Sequence, residues 1–183
     1  IRGKHDMAYY RLVYSEALYH NLMEGNSDTL TRPMMEYYLL SDEHSERARA
    51  LYQHAITTMN GGNNVDAMFA LVEAEKSLEQ IDNPRLAGLV HRTKGDIYLN
   101  ELLFTKALES YNLSHDYFAD ANLLSHRAWS LLDITQTYNK LRLRDKAIET
   151  AIKAEILSME LNDNALLSSI LIDLCYIYVL EGV

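Results

Sequence analysis

Seven histidines, 26 carboxylates and one cysteine are the side chains of this 183-residue sequence that could ligate a metal or move a proton. A zinc site needs three or four such ligands, commonly with two of them one helical turn apart. No two histidines stand at i and i+4 with a third ligand nearby, and the H-E-x-x-H pattern is absent. Neighbouring acids such as Asp42-Glu43, Glu73-Glu75 and Asp116-Asp120 fall on outer helix faces without an aromatic cleft, which leaves no general acid/base pair in view. Neither a glycine-rich phosphate loop nor a G-x-S-x-G elbow occurs. The expectation is therefore a protein without catalytic residues, metal site or cofactor.

The totals narrow the partners. A net charge of −9, with 17 basic residues that form no concentrated face, disfavours nucleic acid or an anionic membrane as the partner of this segment. Cys175 stands alone, so no internal disulfide is available. It sits at a position whose counterparts elsewhere are small, and it reads as a buried small hydrophobe. The longest apolar run, Ala165 to Leu180, is broken by Ser168, Ser169 and Asp173 and is too short for a bilayer about 30 Å thick.

What positions these side chains is a repeat. Only two prolines interrupt a chain rich in Leu, Ala, Glu and Tyr, and an all-helical chain follows. At one constant shift Ala67 falls on Ala107 and Ala147; Ala55 on Gly95, Thr135 and Cys175; Tyr98 on Tyr138 and Tyr178. Helix axes 8–10 Å apart admit only small side chains at their closest crossings. Those positions are assigned to the crossings, with Leu71, Tyr111, Leu78 and Phe118 filling the space between.

In order, a helix over Asp6–Met23 ends at Gly25-Asn26, and Ser27 opens a second helix that Pro33 should delay to Thr31 or bend. Hairpins follow over Ser45–Asn60 with Asn64–Gln80, Pro84–Glu101 with Phe104–Ala119, and Leu123–Leu141 with Asp145–Leu161. Gly61-Gly62-Asn63 turns the first of these, and Asn83-Pro84 caps and opens the next. A final helix, Ala165–Glu181, has no mate. The organisation expected is one domain: a capping hairpin over 1–41, repeats over 45–82, 83–121 and 122–161, and the first helix of an incomplete repeat over 164–183. It reads as a piece of a longer protein.

The pattern Leu51-Ala55, His91-Gly95-Tyr98 and Leu131-Thr135-Tyr138 in first helices, with Ala67-Leu71-Ala74, Ala107-Tyr111-Ser114 and Ala147-Ala151-Ala154 in second helices, resembles the tetratricopeptide repeat (TPR). The period of 40 rather than about 34 resembles the extended units of bacterial regulatory proteins. The resemblance implies an all-α, right-handed α-solenoid of stacked antiparallel hairpins with about nine helices, its first helices lining a concave groove. Carried over position by position, the groove falls on Arg49, Tyr52, Gln53, Ile56 and Asn60; on Arg92, Asp96, Leu99 and Asn100; on Trp129, Leu132, Asp133, Gln136, Asn139 and Lys140; and on Ser169, Asp173 and Tyr176. Amides there can pair with an extended peptide, Arg92 with a carboxylate, and Trp129 can serve as an anchor. Tyr52 and Ile56 stand where carboxylate-clamp members of the family carry Lys and Asn, which argues against that specialisation.

The function implied is a non-catalytic scaffold that binds a protein or peptide, as the sensor or interaction region of a larger bacterial regulatory protein. The alternatives are a dimerisation module built on the unmated last helix and, more remotely, a helical enzyme. Compartment is open between the extracytoplasmic part of a membrane-anchored protein and the cytoplasm.

Overall fold

The computed structural model describes residues 3–21 and 27–179. Met23, Gly25, Asn26 and the stretch from Leu180 to Val183, which carry the expected end of the first helix and the close of the last, lie outside the described residues. Among the described residues there are nine helices and no strand: α1 (Lys4–His20), α2 (Asp28–Leu39), α3 (His44–Asn60), α4 (Asn64–Leu78), α5 (Pro84–Asn100), α6 (Phe104–Asp120), α7 (Leu124–Lys140), α8 (Arg144–Leu161) and α9 (Asn164–Val179). Where the expected hairpins are described, their bounds are met within two residues. The fold class is all-α, with antiparallel helices stacked in chain order as in an α-solenoid. The chain divides into two compact units, Ile1–Leu86 and Ala87–Val183.

In the first unit, α3 packs on α4, on α2 and on α1. Pro33 neither delays nor ends α2, which runs through it from Asp28. Proline leaves the carbonyl four residues earlier without its amide donor. That carbonyl belongs to Thr29, and the Arg11 guanidinium of α1 donates to it at 2.8 Å and to the Leu30 carbonyl at 3.3 Å. A neighbouring helix thus supplies the donor that Pro33 lacks. Ala55, Ala67 and Leu71 are fully buried, as the repeat register requires, and so is Ala48. Asn83 caps as expected, accepting from the Leu86 amide at 3.0 Å, and Asn63, read as a turn residue, also caps, accepting from the Asp66 amide at 3.2 Å.

In the second unit the pairs Gly88 with Phe118 and Gly95 with Tyr111 set the spacing of α5 and α6. A Cβ at Gly88 would stand 2.6 Å from the Phe118 ring, and one at Gly95 would stand 2.5 Å from Tyr111. The two glycines are seven residues apart, as are the two rings, so one face of α5 receives one face of an antiparallel α6. Ala107, Ala147, Ala151, Ala154 and Thr135 are fully buried around α7. His91, given a core position by register, is half-buried and stacks on Tyr117 with centroids 5.3 Å apart.

Cys175 departs from its expected burial and is exposed. The same holds along α9: Leu171 is 44% and Ile172 68% exposed, against 8% and 4% for Leu131 and Leu132 at the same register in α7. The reason is physical. Helix α7 is covered by α6 as well as by α8 and α9, whereas among the described residues α9 meets only α7 and α8.

The turns repeat more finely than the side chains. Gly62, Leu102, Asn122, Arg142 and Asn162 all have positive φ, between 53° and 82°. Each of these amides returns to the carbonyl three residues back, and the next amide to the carbonyl five before it, as in Asn63 to Thr58, Leu103 to Tyr98 and Asp163 to Ser158. This is a Schellman closure, in which orphan carbonyls at a helix end are satisfied by a left-handed residue. From Leu102 through Asn122 and Arg142 to Asn162 it recurs at even intervals, once per helix rather than once per hairpin.

Candidate recognition surface

The first-helix residues singled out by register lie in both units, and each unit uses them differently. In the first unit they are largely consumed by α1. Arg49 donates from Nε and Nη2 to the two carboxylate oxygens of Glu16, at 2.8 and 2.6 Å, and that carboxylate holds its pKa above the ordinary value. Tyr52 and Gln53 are each 4% exposed, Ile56 is buried too, and the Gln53 side-chain oxygen faces Ser15 at 3.4 Å. Asn60 alone of this group is exposed. Helix α1 accordingly occupies part of the face that the register assigned to a ligand.

In the second unit the same register positions join one first helix to the next. Arg92 of α5 donates from Nε to Asp133 of α7 at 2.7 Å, with a longer contact of 3.4 Å from its terminal nitrogen. Gln136 of α7 donates to Asp173 of α9 at 2.9 Å. Asp96, one turn beyond Arg92, accepts from the Tyr111 hydroxyl at 2.8 Å. Three first helices are thereby linked by polar side chains on one face, and the carboxylate expected opposite Arg92 is the protein's own Asp133.

Burial dominates the electrostatics here. The Asp133 side chain is 15% exposed, and burial pushes its pKa up to about 6 against the opposing pull of Arg92. Burial also raises Asp96, with the Tyr111 hydroxyl and Arg92 working the other way. Tyr111 is raised by burial and then by the Asp96 charge beside it. For Arg92 burial works against the charge, but Asp133 outweighs it and the guanidinium is held more firmly protonated.

Around this ladder are side chains left to solvent. Trp129 packs one side on the core formed by Leu131, Leu132, Ile134 and their neighbours while remaining half-exposed. Asn139 is half-buried, Asn100 and Lys140 are exposed, and Tyr176 is 55% exposed. Leu132 is buried, and Leu99 and Ser169 are half-buried. Among the described residues no group of three or more His, Cys, Asp or Glu side chains is placed to hold a metal ion. None of the described helices is long and apolar enough to cross a membrane.

Two contributors escaped the sequence. Glu16 belongs to the capping hairpin, outside the repeat register, so no shift of the repeat could pair it with Arg49. Tyr111 was assigned to packing, and its ring does pack; its hydroxyl also anchors Asp96, which the placement of the two residues across one hairpin turn could have suggested.

No family model matches the chain, and no curated protein matches it. In structure it is similar to the crystal structure of aspartyl phosphate phosphatase F from Bacillus subtilis, with a TM-score of 0.80 over 93% of this chain at 20% identity. The match takes in 45% of that protein, so this chain spans about half of its length. A likeness at that identity carries the fold and not the activity. It places the stacked helices described above in a known helical-repeat arrangement.

Proposed function

We propose that the chain is a non-catalytic scaffold of TPR type, whose first-helix face in the second unit binds a protein or peptide. The observation that supports this reading is the ladder of Arg92 with Asp133 and Gln136 with Asp173. It holds polar groups of α5, α7 and α9 in fixed positions on one face, beside accessible Trp129, Asn139, Lys140 and Tyr176. A surface whose side chains are already ordered loses less entropy on binding. In this reading the ladder positions and the neighbouring amides and rings make the contacts. The fold likeness to a bacterial protein fits a role as the interaction region of a larger bacterial regulatory protein.

The test is a peptide-array screen followed by anisotropy titration of the hits against wild type, Tyr176→Ser and Lys140→Glu. These two positions are exposed, so neither change threatens the fold. Loss of at least ten-fold in affinity in either variant supports the reading; hits bound equally by all three proteins would remove this face from consideration.

A second reading rests on α9. Leu171, Ile172 and Val179 are 44%, 68% and 72% exposed on a helix whose register equivalent is covered. An exposed apolar face of this kind is the usual mark of an interface. Self-association of two copies through α9 would bury it, and sedimentation at several concentrations, with Ile172→Glu as the control, distinguishes a dimer from a monomer.

A further inference from the structure

We infer that the second unit carries another binding site, on its second-helix side, for a short extended acidic peptide with an aliphatic residue at its centre. A pocket of about 620 Å³ lies along α7 between α6 and α8. Its size falls within the range of roughly 300–1,000 Å³ typical of ligand sites. Leu131 and Ile134 form an apolar floor, and Ile156 and Leu157 of α8 an apolar wall. None of these residues belongs to the Arg92–Asp133 ladder, so this site does not rest on the reading of the first-helix face.

Charge selects the ligand. Three full cations line the pocket: Arg127, Lys146 and Lys153. Lys153 is taken by Glu149 at 2.7 Å. Asp116 is engaged by His115, whose Nδ1 lies 3.2 Å away, while His115 Nε2 accepts from Arg127 Nε at 3.5 Å. With Nε2 accepting, the imidazole proton sits on Nδ1 and donates to Asp116, so this chain of contacts orients Arg127 without neutralising it. Lys146 lies over the Tyr138 ring, 5.7 Å from its centre. No ion pair joins Arg127 or Lys146 to a carboxylate among the described residues; the charge of Lys146 is felt by Glu149, whose direct partner is Lys153.

The two cations mark opposite ends of the pocket. Arg127 and Tyr138, the ring beneath Lys146, are eleven residues apart on one helix, about 16 Å at 1.5 Å per residue. Residues one and five of an extended peptide stand about 13–14 Å apart, and their acidic side chains reach the remaining distance. Alternate side chains of an extended segment face the same way, so positions one and five would present carboxylates to Arg127 and Lys146 while position three meets Leu131 and Ile134. A small monocarboxylate cannot reach both ends.

The probe is the blocked pentapeptide Ac-Glu-Ser-Leu-Ser-Glu-NH2, titrated into isotope-labelled chain and followed by NMR. Saturable shifts at Leu131, Ile134 and Ile156 are expected. Affinity should fall at least ten-fold in Lys146→Glu and in Arg127→Gln, with little change in Lys146→Arg, and should weaken as salt is raised. Lys146 is exposed, so the first variant keeps the fold intact. Equal binding of the Lys-Ser-Leu-Ser-Lys analogue, shifts confined to other surfaces, binding of octanoate in preference to the peptide, or no saturable shifts would each overturn the proposal.

Discussion

Arg92 of α5 and Asp133 of α7 close an ion pair at 2.7 Å in which both side chains are largely withdrawn from water, 33% and 15% exposed. Removing one partner of such a pair leaves the other charged in a poor solvent. Arg92→Met is expected to cost about 1–3 kcal/mol, below the range for a fully buried pair because Arg92 retains some exposure. It should also raise the Asp133 pKa above its present value of about 6. Denaturant unfolding reads the first effect and a carboxyl-carbon NMR titration the second. An Asp133 pKa that fell on loss of Arg92 would contradict the assignment.

Two groups give the stability opposite pH slopes. His54 is buried against Thr31, its Nδ1 3.0 Å from the hydroxyl, and burial followed by the Arg32 charge lowers its pKa below the ordinary 6.5. The unfolded chain therefore takes up this proton first, and the stability due to neutral His54 is complete above 6.5 and lost as pH falls below it. Asp133 behaves in reverse. Its folded pKa is raised from 3.8 to about 6, so the folded chain binds the proton first and stability declines as pH rises across that window. Thermal unfolding across this pH range should show His54→Gln losing the first slope and Asp133→Asn the second.

Leu102 and Arg142 occupy left-handed turn positions that glycine tolerates freely, with φ of 60° and 58°. A side chain there costs about 1–2 kcal/mol, partly offset by the extra freedom that glycine confers on the unfolded chain. Leu102 is 71% exposed and has little burial to lose. Leu102→Gly and Arg142→Gly are each expected to stabilise by about 0.5–1 kcal/mol. A lowered melting temperature in both would argue against strain at these corners.

Gly95→Ala is expected to destabilise by about 1–3 kcal/mol through overpacking. The added methyl meets the Tyr111 ring, which cannot swing aside freely because its hydroxyl is held by Asp96. Combining it with Tyr111→Leu should recover part of the loss, and a double-mutant cycle measures the coupling.

Arg11 and Pro33 should also be coupled. Arg11→Met removes the donor to the Thr29 carbonyl at an expected cost of about 0.5–1.5 kcal/mol. In a Pro33→Ala background the helix supplies its own amide, and the same substitution should cost less. Equal costs in both backgrounds would show that Arg11 does not serve that carbonyl.

How much could be read beforehand follows from what each signal measures. The small residues that return once per hairpin report helix crossings, and Ala67, Ala107 and Ala147 are all fully buried. The turn interval was hidden, because Gly62, Leu102, Asn122, Arg142 and Asn162 share a backbone conformation and no chemistry. Pro33 misled because its remedy comes from α1, which local rules cannot see. Cys175 misled because register describes a helix with neighbours on both sides. At the surface, register identified which residues lie on first-helix faces, but not that Arg49 and Gln53 turn toward α1, since pairing across helices depends on partners outside the repeat.

The corner after each of α5, α6, α7 and α8 is specified by main-chain amides and carbonyls, evenly placed from Leu102 to Asn162. Duplicating or excising two such segments would preserve the sense in which every later helix runs. A single segment added or removed would reverse that sense and carry downstream side chains to the opposite face of the stack. The protein can therefore lengthen or shorten by pairs at small structural cost, while odd steps would scramble every surface that follows.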